Sequence, residues 1–330
     1  MSEPEGAAKS CSNCGAALIG EYCHACGQKR FVESDRRLGH LLHQFVGSIT
    51  DLDGRVWRTV RALLFQPGLL SREYFEGRRA HWLAPVSLFL AVSVIYFVAP
   101  LRGGDLTLQF NQQVAPEIRA QALGPDETLS ENQRSATGQW YSRYTARWIE
   151  RRVAKRDATL RAASNGDPSR PSVASAAPGP LPGATGYSMR DYRIAYDAKG
   201  DDISKALVVL HVPFAALTLL LMFWRQRHYY AEHFVFALHY LAFWMIALQV
   251  VAQSINLFHG LPAAWAPPLA FYDWVMRALL AIYAVLALRR AYSVGWLAAT
   301  VAAAGLIASM VMVNLYFYRA VQFVITFSLT

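Results

Sequence analysis

The sequence predicts an all-α polytopic membrane protein of about five transmembrane helices, with a small four-cysteine zinc ribbon at its N-terminus. Three observations predict it. Hydrophobic residues make up 54% of the 330 and charged residues only 17%, against about 25% in a soluble domain. Charge is absent from 80–101, 206–224, 233–272 and 291–318, stretches of 22, 19, 40 and 28 residues. All four cysteines fall within "CSNCGAALIGEYCHACGQ", residues 11–28.

The first element, 1–30, is the ribbon. Cys11, Cys14, Cys23 and Cys26 are spaced C-x2-C-x8-C-x2-C, and Gly15 and Gly27 follow the two pairs. Structural zinc takes four thiolates in a tetrahedron. Each C-x-x-C turn supplies two of them, and the glycine accepts the positive φ that such turns often need. A segment this small cannot hold itself by burial, so metal binding drives its folding. Zn2+, one per chain, is the expected cofactor, with iron the alternative. Disulfides do not suit a reducing compartment. A redox C-x-x-C normally stands singly in a βαβ setting. His24 is not needed, because four cysteines close the shell. A closed shell leaves no open position for water, which speaks against an enzyme centred on this metal.

Amphipathic helices follow over 31–82. Leu38, Leu41, Leu42, Phe45, Val46 and Ile49 recur at helical spacing after Ser34, a suitable N-cap. In the second helix Val56, Trp57, Val60, Leu63 and Leu64 oppose Arg55, Arg58 and Arg61, and Pro67-Gly68 ends it. A third short helix starts near Ser71. Such helices suit the membrane interface, the alternative being a helix pair packed on itself in the cytosol. The first span covers 83–100.

A loop over 101–203 comes next, expected outside the membrane. Its part 125–162 reads as helical and carries the ladder Trp140, Tyr144, Trp148. Its part 163–186 is rich in Pro, Ser, Ala and Gly and reads as a disordered linker. Spans two to five occupy 206–317: 206–224, 233–257, 269–288 and 294–317. An apolar tail, 318–330, is too short to cross alone.

The N-terminus "MSEPEGAAKS" has no apolar run and does not read as a signal peptide. The short connections "RQRH" (225–228) and "RRAY" (289–292) are basic, whereas 259–268 carries no ionic charge. The positive-inside rule therefore puts the N-terminus in the cytoplasm. Net charge is +9, but it is spread, and no basic domain suggests nucleic-acid binding.

Ionisable residues at membrane depth are functional candidates. "YYAEHFVFALHYLAF" holds Glu232, His233 and His239, and the fourth span holds Asp273 and Arg277 at i, i+4. These five mark a conducting path or ligand cavity; the alternative is headgroup-level placement and helix-to-helix glue. Gly295, Ala299 and Ala303 at i, i+4, i+8 permit close helix approach in span five, within the chain or between copies in a homo-oligomer. No phosphate-cradling glycine loop, G-x-S-x-G or HExxH occurs.

Three blocks in order, "YCHACGQ", "QPGLLSREYFEGRRAHWLAP" and "YYAEHFVFALHYLAF", resemble a bacterial family catalogued only as domain of unknown function 3667. The resemblance covers about 11–100 and 206–325. It implies a cytosolic zinc ribbon fused to a multi-pass domain of the bacterial cytoplasmic (inner) membrane, and no known activity. It draws attention to "REYFEGRR", where Arg72 can pair with Glu76 and Arg72, Arg78 and Arg79 can anchor lipid headgroups or topology. The function expected is a scaffold or regulator with a cytosolic docking platform for a protein partner. The competing reading is a small-solute or proton-coupled transporter, with a membrane-embedded enzyme third.

Overall fold

The computed structural model describes residues 10–29, 54–98, 109–123, 138–164, 186–226, 228–258 and 267–330. The helix expected over 38–49 and most of the linker at 163–186 lie outside these. The helices, in order, are α1 (Arg55–Phe65), α2 (Leu69–Phe75), α3 (Pro85–Val98), α4 (Phe110–Gln113), α5 (Pro116–Gln121), α6 (Ser142–Ser164), α7 (Met189–Leu207), α8 (His211–Met222), α9 (Tyr230–Phe258), α10 (Leu269–Tyr292), α11 (Trp296–Met312) and α12 (Arg319–Leu329). A π-helical segment, Val313–Tyr318, joins α11 to α12. Among the described residues no strand forms, only the isolated bridges Ser10–Ala17 and Tyr22–Lys29.

Three helical runs are long and apolar enough to cross a bilayer: Tyr230–Ile255, Ala270–Tyr292 and Trp296–Leu329, of 26, 23 and 34 residues. On these runs the chain is a membrane protein. The other two expected spans are shorter apolar helices, Pro85–Tyr96 and Val208–Met222. The bare α3, at 14 residues, reaches about 21 Å against a hydrocarbon core of about 30 Å.

The chain divides into two compact units. The first holds Met1–Gly104 and His211–Val311. Its hub is α9, against which α1, α2, α3, α8 and α10 all pack. The helix is apolar nearly all round, and Val235, Phe236, Ala237, Leu241, Ala242 and Met245 are buried, as a central helix requires. Ring stacking reinforces the α9–α10 contact, with Phe243 and Tyr283 centroids 3.5 Å apart. The Tyr283 hydroxyl donates to the Leu63 carbonyl at 2.8 Å, tying α10 to the last turn of α1. The small face of α11 packs within this unit: Ala299 and Ala303 are buried, and Ser309 Oγ lies 2.7 Å from Thr218 Oγ1 on α8.

The second unit holds Asp105–Leu210 and Met312–Thr330. Here α7 packs against α4, α5, α6 and α12. The core is aromatic: Phe110, Tyr141, Tyr187, Tyr192, Tyr196 and Phe323 are buried with Val114, Ile118 and Ile149. The buried Gln113 carboxamide oxygen accepts from the Tyr141 and Tyr196 hydroxyls at 2.9 and 3.2 Å. Two expectations are refined here. The segment 101–203 contains an ordered helical core, and residues 319–329 form a helix continuous with α11 that belongs to that core. Residues 163 and 164, expected in the linker, end α6. Trp140, Tyr144 and Trp148 remain largely exposed.

Candidate metal centre and its docking face

The two C-x-x-C segments fold as equivalent knuckles. In the first, Cys11 N–H donates to Ala16 O and Gly15 N–H to Cys11 O, both at 2.8 Å. In the second, Cys23 N–H donates to Gln28 O at 2.9 Å and Gly27 N–H to Cys23 O at 2.8 Å. Gly15 and Gly27 take φ of 77° and 70°, the left-handed region in which a Cβ is disfavoured. The repeat is offset by twelve residues, so Ala16 and Gln28 hold equivalent places.

The knuckles bring four free thiols together, with all four sulfurs within 4.8 Å of one another. Cys11 Sγ is 3.6 Å from Cys26 Sγ, and Cys14 Sγ is 3.5 Å from Cys23 Sγ. A tetrahedron of Zn–S bonds of about 2.3 Å places its sulfurs about 3.8 Å apart. The donor set therefore fits a metal ion that prefers four soft ligands. Cys23 itself favours thiolate: the Ala25 N–H, against the opposing effect of burial and with help from Cys26 N–H, draws its pKa down to about 6.

The ribbon is seated on the loop between α2 and α3, and Gln28 makes the joint. Only 8% exposed, its Nε2 donates to Gly77 O at 2.7 Å and to Ser12 Oγ at 2.9 Å. Its Oε1 accepts from the backbone N–H of Arg79 at 3.0 Å and of Ala80 at 3.1 Å. Ser12 Oγ also donates to Gly77 O at 3.2 Å, and Asn13 Nδ2 lies 3.3 Å from His81 Nε2. Gly77 has φ 78°, which turns its carbonyl out of α2 toward the ribbon. Sequence reasoning gave Gln28 no role. The available signal was a carboxamide following a knuckle glycine where the first knuckle has alanine.

"REYFEGRR" forms an internal network beneath this joint. Arg72 Nε pairs with Glu76 at 2.7 Å, as its spacing predicts. Arg78 is held by Glu73 at 2.6 Å and also by Glu76. The Arg79 guanidinium lies 3.7 Å above the Tyr74 ring. Hydrogen bonding to Arg72 holds the Glu76 carboxyl below its ordinary range, and Arg78 adds to this. All three arginines expected as lipid anchors thus engage partners within their own segment: Arg72 and Arg78 its glutamates, and Arg79 the Tyr74 ring.

The polar span residues do not converge. His239 Nδ1 lies 2.9 Å from Ser71 Oγ in a buried contact joining α9 to α2. The space beside them, bounded by Gly68, Phe236 and Tyr283, is about 10 Å3, enough for one water at most. His233 Nδ1 lies 2.7 Å from the Tyr292 hydroxyl on α10. Glu232 Oε2 lies 2.6 Å from His228 Nδ1, a partner at i−4 that sequence reasoning missed. Asp273 and Arg277 pair at 2.7 Å, as their spacing predicts, with side chains 54% and 76% exposed. Tyr292 stands 19 residues after Asp273 on the same helix, which is about 28 Å along its axis. The two polar sets therefore occupy opposite ends of α10.

A family model described as "Protein of unknown function (DUF3667)" matches residues 53–97. That segment runs from the start of α1 through α3 and contains the loop on which Gln28 lands. It supports the resemblance to that family there, and covers neither the cysteine knuckles nor α9. No curated protein and no solved structure matches the chain. The chain is thus similar, over α1 to α3, to a family described only as of unknown function.

Proposed function

We propose that the protein is a scaffold or regulator in the bacterial cytoplasmic membrane, presenting a zinc-bound ribbon as a cytosolic docking platform. The observation that supports this best is the Gln28 joint. Gln28 directly follows the glycine of the second knuckle, so the metal-ordered turn positions its carboxamide against Gly77, Arg79 and Ala80. When bound, zinc supplies a fixed tetrahedral crosslink and no open coordination site. The four cysteines hold it, and Gln28 transmits the knuckle's position to the loop that leads into α3.

The ribbon's other surface stays open. Ile19 and Tyr22, between the knuckles, are exposed, as a protein partner's contact would require. The cytoplasmic placement rests on the basic residues that follow α8 and those in the last turn of α10. Transport along Glu232, His233, His239, Asp273 and Arg277 finds less support, because the two polar sets lie at opposite ends of α10.

The test is a pull-down with the full-length membrane protein under mild solubilisation. Wild type is expected to retain a cytosolic protein that Cys23→Ser loses while inserting to the same level. Equal recovery by both forms, or recovery of no partner by wild type, would count against the platform.

A further inference from the structure

We propose that Arg72, Arg289 and Arg290 form a binding site for a phosphate-bearing anion, the phosphate of an acidic lipid being the favoured source. This rests on no part of the zinc reading.

The site exists because α2 and α10 meet unusually closely. Gly68 ends the α1–α2 turn with φ 76°, and a Cβ there would stand 2.3 Å from the Ala287 carbonyl oxygen. Any side chain here would strain the backbone and overlap that carbonyl. One turn along α2 from Gly68 stands Arg72, and the same contact sets it beside Arg289 and Arg290 in the last turn of α10. Together with Pro67, Leu286, Ser293 and Val294 these arginines line an open pocket of about 530 Å3. The space is ample for a phosphate group.

Charge in the pocket is only partly compensated: Arg72 pairs with Glu76, whereas Arg289 and Arg290 have no acidic partner among the described residues. No acid lines it. Arg72 shares Glu76 with Arg78. The Arg289 guanidinium lies over the Trp296 ring, 4.1 Å from its centroid, and makes no ion pair among the described residues. Arg290 likewise makes no ion pair or hydrogen bond among them. With one acid shared between Arg72 and Arg78 and none on Arg289 or Arg290, the positive charges still repel one another, and a phosphate offers the oxygens that a guanidinium fork binds in pairs.

The pocket's surroundings favour a lipid as carrier. Leu286 and Val294 give the lining an apolar side. Trp296 and Leu297 beyond it are 55% and 81% exposed at the start of α11, one of the apolar runs able to cross a bilayer. A headgroup on the arginines would leave its acyl chains along this surface. Tryptophan and arginine at such a level mark the membrane interface.

The experiment uses the full-length protein in nanodiscs, with native mass spectrometry reading retained phosphatidylglycerol against phosphatidylcholine. Wild type should prefer phosphatidylglycerol. Arg289→Gln with Arg290→Gln should lower that preference about 30-fold, at about fivefold for each arginine near an anionic surface. Arg72→Gln, which leaves the α10–α11 connection untouched, should lower it about fivefold on the same scale. Arg151→Gln with Lys155→Gln on α6 removes equal charge outside the lining and should leave it unchanged. Competition by inorganic phosphate would assign the site to a soluble phosphate compound, and its failure to compete would assign the site to lipid. The proposal is overturned if the preference is absent, if it survives removal of the arginines, or if Arg289→Lys with Arg290→Lys keeps it in full, since that would leave only unspecific charge.

Discussion

Replacing Gln28 by alanine tests the joint between the ribbon and the membrane domain. Four hydrogen bonds disappear: those to Gly77 O and Ser12 Oγ, and those from the Arg79 and Ala80 N–H groups. At about 1 kcal/mol net for each, the loss is about 4 kcal/mol. If the ribbon stays in place, the Arg79 and Ala80 N–H groups remain covered without acceptors, at a further cost of about 1–3 kcal/mol apiece. Detachment is the cheaper response. Gln28 is not a metal ligand, so metal content should not change. Hydrogen–deuterium exchange supplies the assay: the Arg79 and Ala80 amides should lose protection by about a hundredfold or more, a difference that corresponds to about 3 kcal/mol. Gln28→Glu refines the test, because a carboxylate still accepts from both amides but cannot donate to Gly77 O. Its protection should fall between wild type and alanine. Unchanged exchange at Arg79 and Ala80 in Gln28→Ala would refute the joint.

Other outcomes follow from the same geometry. Gly68→Ala combines a left-handed backbone with a Cβ that meets the Ala287 carbonyl, so it should destabilise the membrane domain by about 3 kcal/mol or more, read as a lowered thermal midpoint in detergent. Ser71→Ala leaves His239 Nδ1 buried without its partner and should cost about 1–3 kcal/mol in the same measurement; an unchanged midpoint would show that the contact contributes nothing. The Glu76 carboxyl titrates below its ordinary value of 4.5 in the folded protein. Its contribution is therefore complete above that pH and is lost as pH falls through the depressed value. Exchange protection in α2 should drop on acidification below 4.5 in wild type, and Glu76→Gln should show the lower protection at neutral pH and no further drop from this source.

Local features of the fold were legible in the sequence. The knuckles depend on residues within a few positions of each other, so spacing alone brings Cys11, Cys14, Cys23 and Cys26 together. Arg72–Glu76 and Asp273–Arg277 are one-turn neighbours on helices. The pair His228–Glu232 follows the same rule, but it crosses the start of α9 and was hidden by the histidines that follow. What spacing could not show is contact between distant segments. Gln28 and Gly77 meet 49 positions apart, and Ser71 and His239 meet 168 apart. Neither carries a periodic signal. Helix α7 reads as loop in the sequence because its charged residues obscure an apolar face of Met189, Tyr192, Ala195 and Tyr196. The C-terminal segment is too short to cross by itself. Nothing between Tyr318 and Arg319 stops the helix that precedes it, so its length adds to that of α11.

A metal held by the four cysteines is proposed to seat the ribbon on the loop leading into α3. This is tested most directly by measuring bound zinc together with exchange at Arg79 and Ala80 in the purified full-length protein, before and after a strong chelator. About one zinc per chain is expected, with loss of protection at both amides when it is removed. A protein that purifies without metal, or that keeps full protection at Arg79 and Ala80 after chelation, would contradict this.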